Sequence, residues 1–218
     1  MKTFLNFHTH RAAVVPSETV IRNLSAGFIG NRKEGIPENG WFSAGIHPWY
    51  IPEELDSAFE SLAVCCGSPR CMALGEAGLD KCSATSFTLQ KEVFARQLFM
   101  AGAFRLPVTV HCVRAWGELL EVCKTVHPAV PCVVHGFRGG PELARQLLDK
   151  GFYLSFGFRF NTQSLVYCPS DRLFLETDEN ACSVEGLYHT VALLRGCGKE
   201  ELRAFCWDNL RSVSSKNM

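Results

Sequence analysis

The stretch "PVTVHCVRAWGELLEVCKTVHPAVPCVVH", residues 107–135, decides the fold. It opens on a β-rich apolar run, Pro107 to His111, and closes on another, Cys132 to His135. Between them "AWGELLEVCKTV", residues 115–126, is a helical stretch long enough for a crossover, so the two strands run parallel. Each run also ends on a histidine.

Working outward, the same alternation fills nearly the whole chain. Further strand candidates are Thr3 to His8, Thr19 to Leu24, Trp41 to His47, Met72 to Glu76, Phe152 to Phe156 and Leu173 to Thr177. Helical patterns lie in "PEELDSAFESLAVCC", "TLQKEVFARQLFMAGAFR", "GPELARQLLDK" and "SVEGLYHTVALLRGC"; Leu143, Leu147 and Leu148 show the spacing of one helix face. Eight strands, most followed by a helix, predict an α/β fold of the (β/α)8 TIM-barrel type in a single domain, residues 1–218. The chain is short for that fold. About ten residues separate the first two strands, too few for a loop, a three-turn helix and a second loop. The expectation is therefore an abbreviated barrel whose first crossover helix is missing. A doubly wound open sheet is the rival, but "GFRGG", residues 136–140, does not match a dinucleotide-binding fingerprint. The tail "SSKNM" is expected to fray.

Composition narrows the function classes. A chain 47% hydrophobic and 20% charged is a globular protein with a large core. No apolar run spans a membrane, and the start "MKTFLNFHTH" lacks the apolar segment of a secretory signal, so a cytoplasmic location is expected. Eleven cysteines form no C-x-x-C pair, and Cys112, Cys132 and Cys206 sit in apolar runs, which reads as reduced core thiols. With 22 basic and 22 acidic residues there is no global basic field, so a phosphate substrate must be held by a local site. There is no G-x-S-x-G elbow and no phosphate-cradling P-loop.

The chemistry lies at the strand ends. The first run ends at His8 and His10, the third at His47, the fourth at Glu76, the fifth at His111, the sixth at His135 and the eighth at Asp178. In a barrel these ends share one face, where active sites are assembled. Side chains two apart on a strand point the same way, so His8 and His10 are expected to face the barrel axis with Phe4 and Asn6, leaving Leu5 and Phe7 toward the helices. Imidazoles and carboxylates of this number suit two divalent ions of the zinc or manganese type bridged by a carboxylate. Such a pair supports hydrolysis of an ester or phosphoester. His127 and His189 fit no strand-end pattern and read as structural.

The ordered motifs "FHTH", "GIHPW", "GEAGLD", "VHCVRAW", "VHGFRGG" and "LETD" resemble the TatD-type metal-dependent deoxyribonucleases of the amidohydrolase superfamily, and "WDNLRSV" is similar to that family's closing helix. The resemblance implies that His8, His10, Glu76 and Asp178 hold a first metal, and that Glu76 bridges to a second held with His111 and His135. It implies one or two divalent ions (Zn, Mn or Mg), Asp178 as general base, and His47 and Arg114 as phosphate contacts. It also implies a single-stranded DNA end as substrate, cut from the 3′ side, with Trp49, Tyr50 or Phe137 available for base stacking. This chain departs from the family pattern in four respects. Asn6 stands where an aspartate is usual, and Arg114 lies three residues after His111 instead of two. Glu179 and Asn180 replace a small residue and a proline, and the chain is shorter. Two rivals remain open: a metal-dependent hydrolase of a small phosphoester, lactone or amide, and a non-catalytic metal-binding barrel.

Overall fold

The computed structural model describes residues 3–11, 15–24 and 38–215. Its strands are β1 (Phe4–Thr9), β2 (Glu18–Leu24), β3 (Trp41–Ala44), β4 (Cys71–Asp80), β5 (Val108–Val113), β6 (Cys132–Val134), β7 (Tyr153–Phe156) and β8 (Leu173–Leu175). They follow one another in chain order in one eight-stranded sheet. The pairs β1–β2, β3–β4, β4–β5, β6–β7 and β7–β8 run parallel. Just past β8, Asp178 bridges back to Thr9, donating its N–H to the His8 carbonyl at 3.0 Å and accepting from the His10 N–H at 3.1 Å. This is the (β/α)8 barrel that the alternation predicted.

The described residues form seven α-helices, α1 (Leu55–Gly67), α2 (Phe87–Phe104), α3 (Trp116–Val126), α4 (Pro141–Asp149), α5 (Thr162–Tyr167), α6 (Val184–Arg195) and α7 (Lys199–Val213), and a short 3-10 helix, Ser170–Arg172. Pro16 and Ser17 make a turn before β2, and no helix stands there among the described residues. Residues 216–218 of the "SSKNM" tail lie outside the described residues. No helix of the described chain is long and apolar enough to cross a membrane.

The chain divides into two compact units, one built from the segment ending at Arg22 with Val133–Val213, the other from Asn23–Cys132. In the first, Phe7 stacks on Phe174 of β8 at 4.3 Å, and Tyr188 of α6 lies 5.1 Å from the Phe4 ring. The Tyr188 hydroxyl donates to the Leu5 carbonyl at 2.9 Å, and Lys199 and Arg203 of α7 sit over the Phe4 ring. Phe4, expected on the barrel axis, thus packs on residues of α6 and α7. Further along, the register shifts between Asn6 and Thr9, where three steps along β1 match two along β2.

In the second unit, all ten residues of β4 are buried, and α2 buries Gln90, Val93, Phe94, Gln97, Leu98 and Ala101. That spacing is one helical face, yet two of its members are polar. Each glutamine clamps a backbone. Gln97 accepts from the Ile46 N–H at 2.7 Å and donates to its carbonyl at 3.0 Å; Gln90 does the same for Asp80 at 2.8 and 3.1 Å. The backbone beside His47 and the end of β4 are thus fixed by one helix. Gly78 makes the close packing of β4 on β5 possible: it has φ +155°, and a Cβ there would lie 1.9 Å from the His111 carbonyl oxygen.

Candidate metal centre

In the first unit the donor atoms of His8, His135 and Asp178 all lie within 4.8 Å of one another. Asp178 Oδ1 is 3.9 Å from His8 Nε2 and 3.5 Å from His10 Nε2. Asp178 has φ +54°, an unusual conformation for a residue with a side chain, held by its backbone pairing with β1. Thr9 adds a hydroxyl bond to the Asp178 carbonyl at 3.1 Å. His8 is fully buried and its ring is 4.6 Å from that of His135.

Behind His135 stands Glu176, which the sequence reading did not single out. Its Oε1 is 3.4 Å from His135 Nδ1 and accepts from the Gly136 N–H at 2.8 Å, while Oε2 accepts from the Ser155 hydroxyl. Burial pushes the Glu176 carboxyl above the usual carboxylate range, against the opposing pull of His135 and Ser155. A carboxylate on Nδ1 makes Nε2 the ligating nitrogen, the arrangement that orients histidine ligands in metal sites.

The second unit repeats the device. Donor atoms of His47, Glu76 and His111 lie within 4.8 Å of one another. His111 Nε2 contacts Asp80 Oδ2 at 3.0 Å, and its Nδ1 is 3.7 Å from Glu76 Oε1. Asp80 also accepts from the Trp49 indole N–H at 2.6 Å and from the Cys82 N–H at 2.7 Å. Burial raises its pKa, but the bonds from His111, Cys82 and Trp49 outweigh that and hold it below the usual carboxylate range. Glu76 Oε2 accepts from Asn23 at 2.8 Å, and Asn23 Oδ1 receives the Glu76 N–H at 3.2 Å and the Ser43 hydroxyl at 3.1 Å. A network of this kind fixes one carboxylate oxygen and aims the other at the histidines.

His47 differs from the other imidazoles. Its Nδ1 accepts from the Trp49 backbone N–H at 3.1 Å, which places the proton of the neutral ring on Nε2. That tautomer donates a hydrogen bond instead of ligating through Nε2. Trp49 and Tyr50 are half exposed or more beside it, with the Tyr50 ring 5.7 Å away. Phe137 is buried and packs on Phe156 at 5.7 Å, so the expectation that it offers a stacking face is corrected. Arg114 is exposed directly after β5 with φ +54°.

Asn6, in the place of the usual aspartate, does not reach His8 through a carboxylate. It accepts from the Thr177 N–H at 3.0 Å and donates to Thr177 Oγ1 at 2.9 Å and to Glu18 Oε2 at 3.3 Å. The buried Glu18 in turn pairs with Arg11 at 2.8 Å and accepts from the Ser183 hydroxyl and the Val184 N–H at the start of α6. The donor sets of both units, imidazole nitrogen and carboxylate oxygen braced by further carboxylates, fit divalent ions.

A family model described as "TatD related DNase" matches residues 29–214. The chain belongs to the TatD-related DNase family. The matched range starts after "FHTH", so the first two histidines rest on their own geometry. An uncharacterized metal-dependent hydrolase of Haemophilus influenzae is 26% identical over 86% of this chain and 82% of its own length. A 3′-5′ ssDNA/RNA exonuclease TatD of Cronobacter turicensis is 33% identical over 63% of this chain, which spans 56% of that protein. The crystal structure of a TatD homologue from Escherichia coli K12 superposes with a TM-score of 0.80 at 20% identity, covering 97% of both chains. A TatD-family hydrolase from Entamoeba histolytica gives 0.76 at 14% identity, covering 99% of both. As a TatD-family protein this chain is a metal-dependent hydrolase acting on ester bonds.

Proposed function

We propose that the chain is one hydrolase domain, residues 1–218, that cleaves phosphodiester bonds of DNA from an exposed 3′ end. The observation that supports it best is the pairing of two carboxylate-braced histidines, His111 on Asp80 and His135 on Glu176, with Glu76 and Asp178 close by in their respective units. In this reading His8, His10, Glu76, His111, His135 and Asp178 hold one or two divalent ions. Such ions, when bound, make water a competent nucleophile near neutral pH and polarise the phosphoester.

The chain's own groups do the rest. Asp178 Oδ1, facing His8 and His10, accepts the proton of the attacking water and is fixed for that task by its backbone pairing with β1. His47 donates from Nε2 to a phosphate oxygen. Arg114 supplies a planar guanidinium for the same group. Trp49 and Tyr50 offer faces on which an unpaired base stacks, a sequence-tolerant contact suited to single strands. Hydrolysis of a small phosphoester is the second reading, favoured by the even charge balance of the chain.

The test is digestion of single-stranded DNA of defined ends with Mg²⁺, Mn²⁺ or Zn²⁺. Stepwise loss of nucleotides from the 3′ end, stopped by chelation, is expected. No DNA turnover together with turnover of an aryl phosphoester would move the substrate to small molecules.

A further inference from the structure

Beside Asp178 the first unit opens a cleft of about 260 Å³ that includes Arg138, Arg159, Gly136, Gly157, Glu179 and Asn180 in its lining. Other arginines of the same unit, none of them in that lining, are committed. Arg11 pairs with Glu18, Arg203 with Glu200 and Arg211 with Asp208; Arg172 lies over Tyr153, and Arg195 bonds the Leu165 and Cys168 carbonyls at 2.7 Å. Arg138 and Arg159 are exposed, and among the described residues neither forms an ion pair. Both come from the segments that follow β6 and β7, the strand ends that also carry His135 and Gly157.

The acidic lining does not cancel them. Glu176 is engaged by His135, Gly136 and Ser155, and Asp178 faces His8 and His10. Glu179 is the remaining exposed carboxylate, against two guanidinium groups. The volume is below the roughly 300–1,000 Å³ of pockets that enclose a drug-sized ligand, so the cleft suits one small charged group and not a whole nucleotide. Planar guanidinium groups suit phosphate oxygens, which they bind through paired hydrogen bonds.

We propose that this cleft is a subsite for a second phosphate, next to the one that is cleaved. Arg138 and Arg159 hold it, and it makes the chain prefer substrates with two phosphates in reach over those with one. The second phosphate is either the next internucleotide diester or a terminal monoester. The proposal rests on the reading of Asp178 and its neighbours as the hydrolytic centre, which fixes where the first phosphate lies.

Equilibrium binding in the presence of chelator tests it without requiring turnover. The probes are thymidine 3′,5′-bisphosphate, thymidine 5′-monophosphate and the dinucleotide pTpT, read by calorimetry at low ionic strength. The wild-type chain is expected to bind the bisphosphate about tenfold more tightly than the monophosphate, and the double variant Arg138→Gln, Arg159→Gln is expected to lose that preference. Glu179→Gln is expected to tighten bisphosphate binding. A preference shown by pTpT as well assigns the site to the internucleotide diester, and one confined to the bisphosphate assigns it to a terminal monoester. Equal binding of mono- and bisphosphate by the wild type, or a preference kept by a folded double variant, overturns the subsite. Failure of the hydrolase reading looks different: bisphosphate preference persists, but bis(p-nitrophenyl) phosphate is not turned over with any divalent ion.

Discussion

Asn6 shows how a single atom exchange is absorbed by its surroundings. Its amide nitrogen points at Thr177 and at Glu18, a buried carboxylate, so this position requires a donor. Asn6→Asp removes the donor and sets two carboxylates about 3 Å apart, and is expected to cost about 1–3 kcal/mol, read by chemical denaturation. An unchanged midpoint would show that the amide is not needed. Asp80 gives a second case. Asp80→Asn replaces one acceptor oxygen by an amide facing Trp49 and His111 or the Cys82 N–H. Metal affinity is expected to fall about 10–100-fold while the chain stays folded, read by calorimetric metal titration. The histidines were legible in the sequence because each ends an apolar run. Asp80 and Glu176 were not, although both lie inside quoted motifs, because a carboxylate that braces a histidine from a neighbouring strand has no spacing signal of its own. Arg114 was legible only by resemblance.

At the scale of elements, α2 carries the least anticipated feature. Its helical pattern was legible, but Gln90 and Gln97, which that pattern did not single out, lie on the buried face and clamp backbone groups. Gln97→Leu leaves the Ile46 N–H and carbonyl buried without their partner, and is expected to cost about 2–4 kcal/mol of stability. The loosened backbone before His47 should raise KM more than it lowers kcat. The tight packing of β4 gives a sharper test. Gly78→Ala adds a Cβ where the His111 carbonyl stands and forces alanine to φ +155°. A loss of about 3 kcal/mol and a fall in Tm of several degrees are expected, measured by thermal denaturation. The strand expected to end at Glu76 runs on to Asp80 past glycines at 75 and 78, a residue type that commonly punctuates a strand. Here they are what lets neighbouring strands approach.

For the molecule as a whole, the barrel was legible because the alternation of strand and helix is repeated often enough to outweigh errors at any one boundary. The short first crossover was expected from the spacing of the first two apolar runs, and part of that connection, residues 12–14, lies outside the described residues. Of the cysteines read as core thiols, Cys132 and Cys206 are buried and Cys112 only partly so. Burial pushes the Cys112, Cys168 and Cys206 thiols up to about 12 and Cys65 to about 11, whereas Cys82 and Cys182 are exposed. A raised pKa means less thiolate at a given pH, so at pH 8 iodoacetamide is expected to label Cys82 and Cys182 first, read by peptide mass spectrometry. Early labelling of Cys206 would mean that the core around α7 opens readily. The central claim is that the strand-end histidines and carboxylates form a centre for divalent ions, and the most direct measurement is the metal stoichiometry of the purified chain beside that of Asp178→Asn. One or two ions per wild-type chain, with fewer or more weakly held ions in a folded variant, is the expected result; a wild-type chain that takes up no divalent ion from excess Zn²⁺, Mn²⁺ or Mg²⁺ would contradict it.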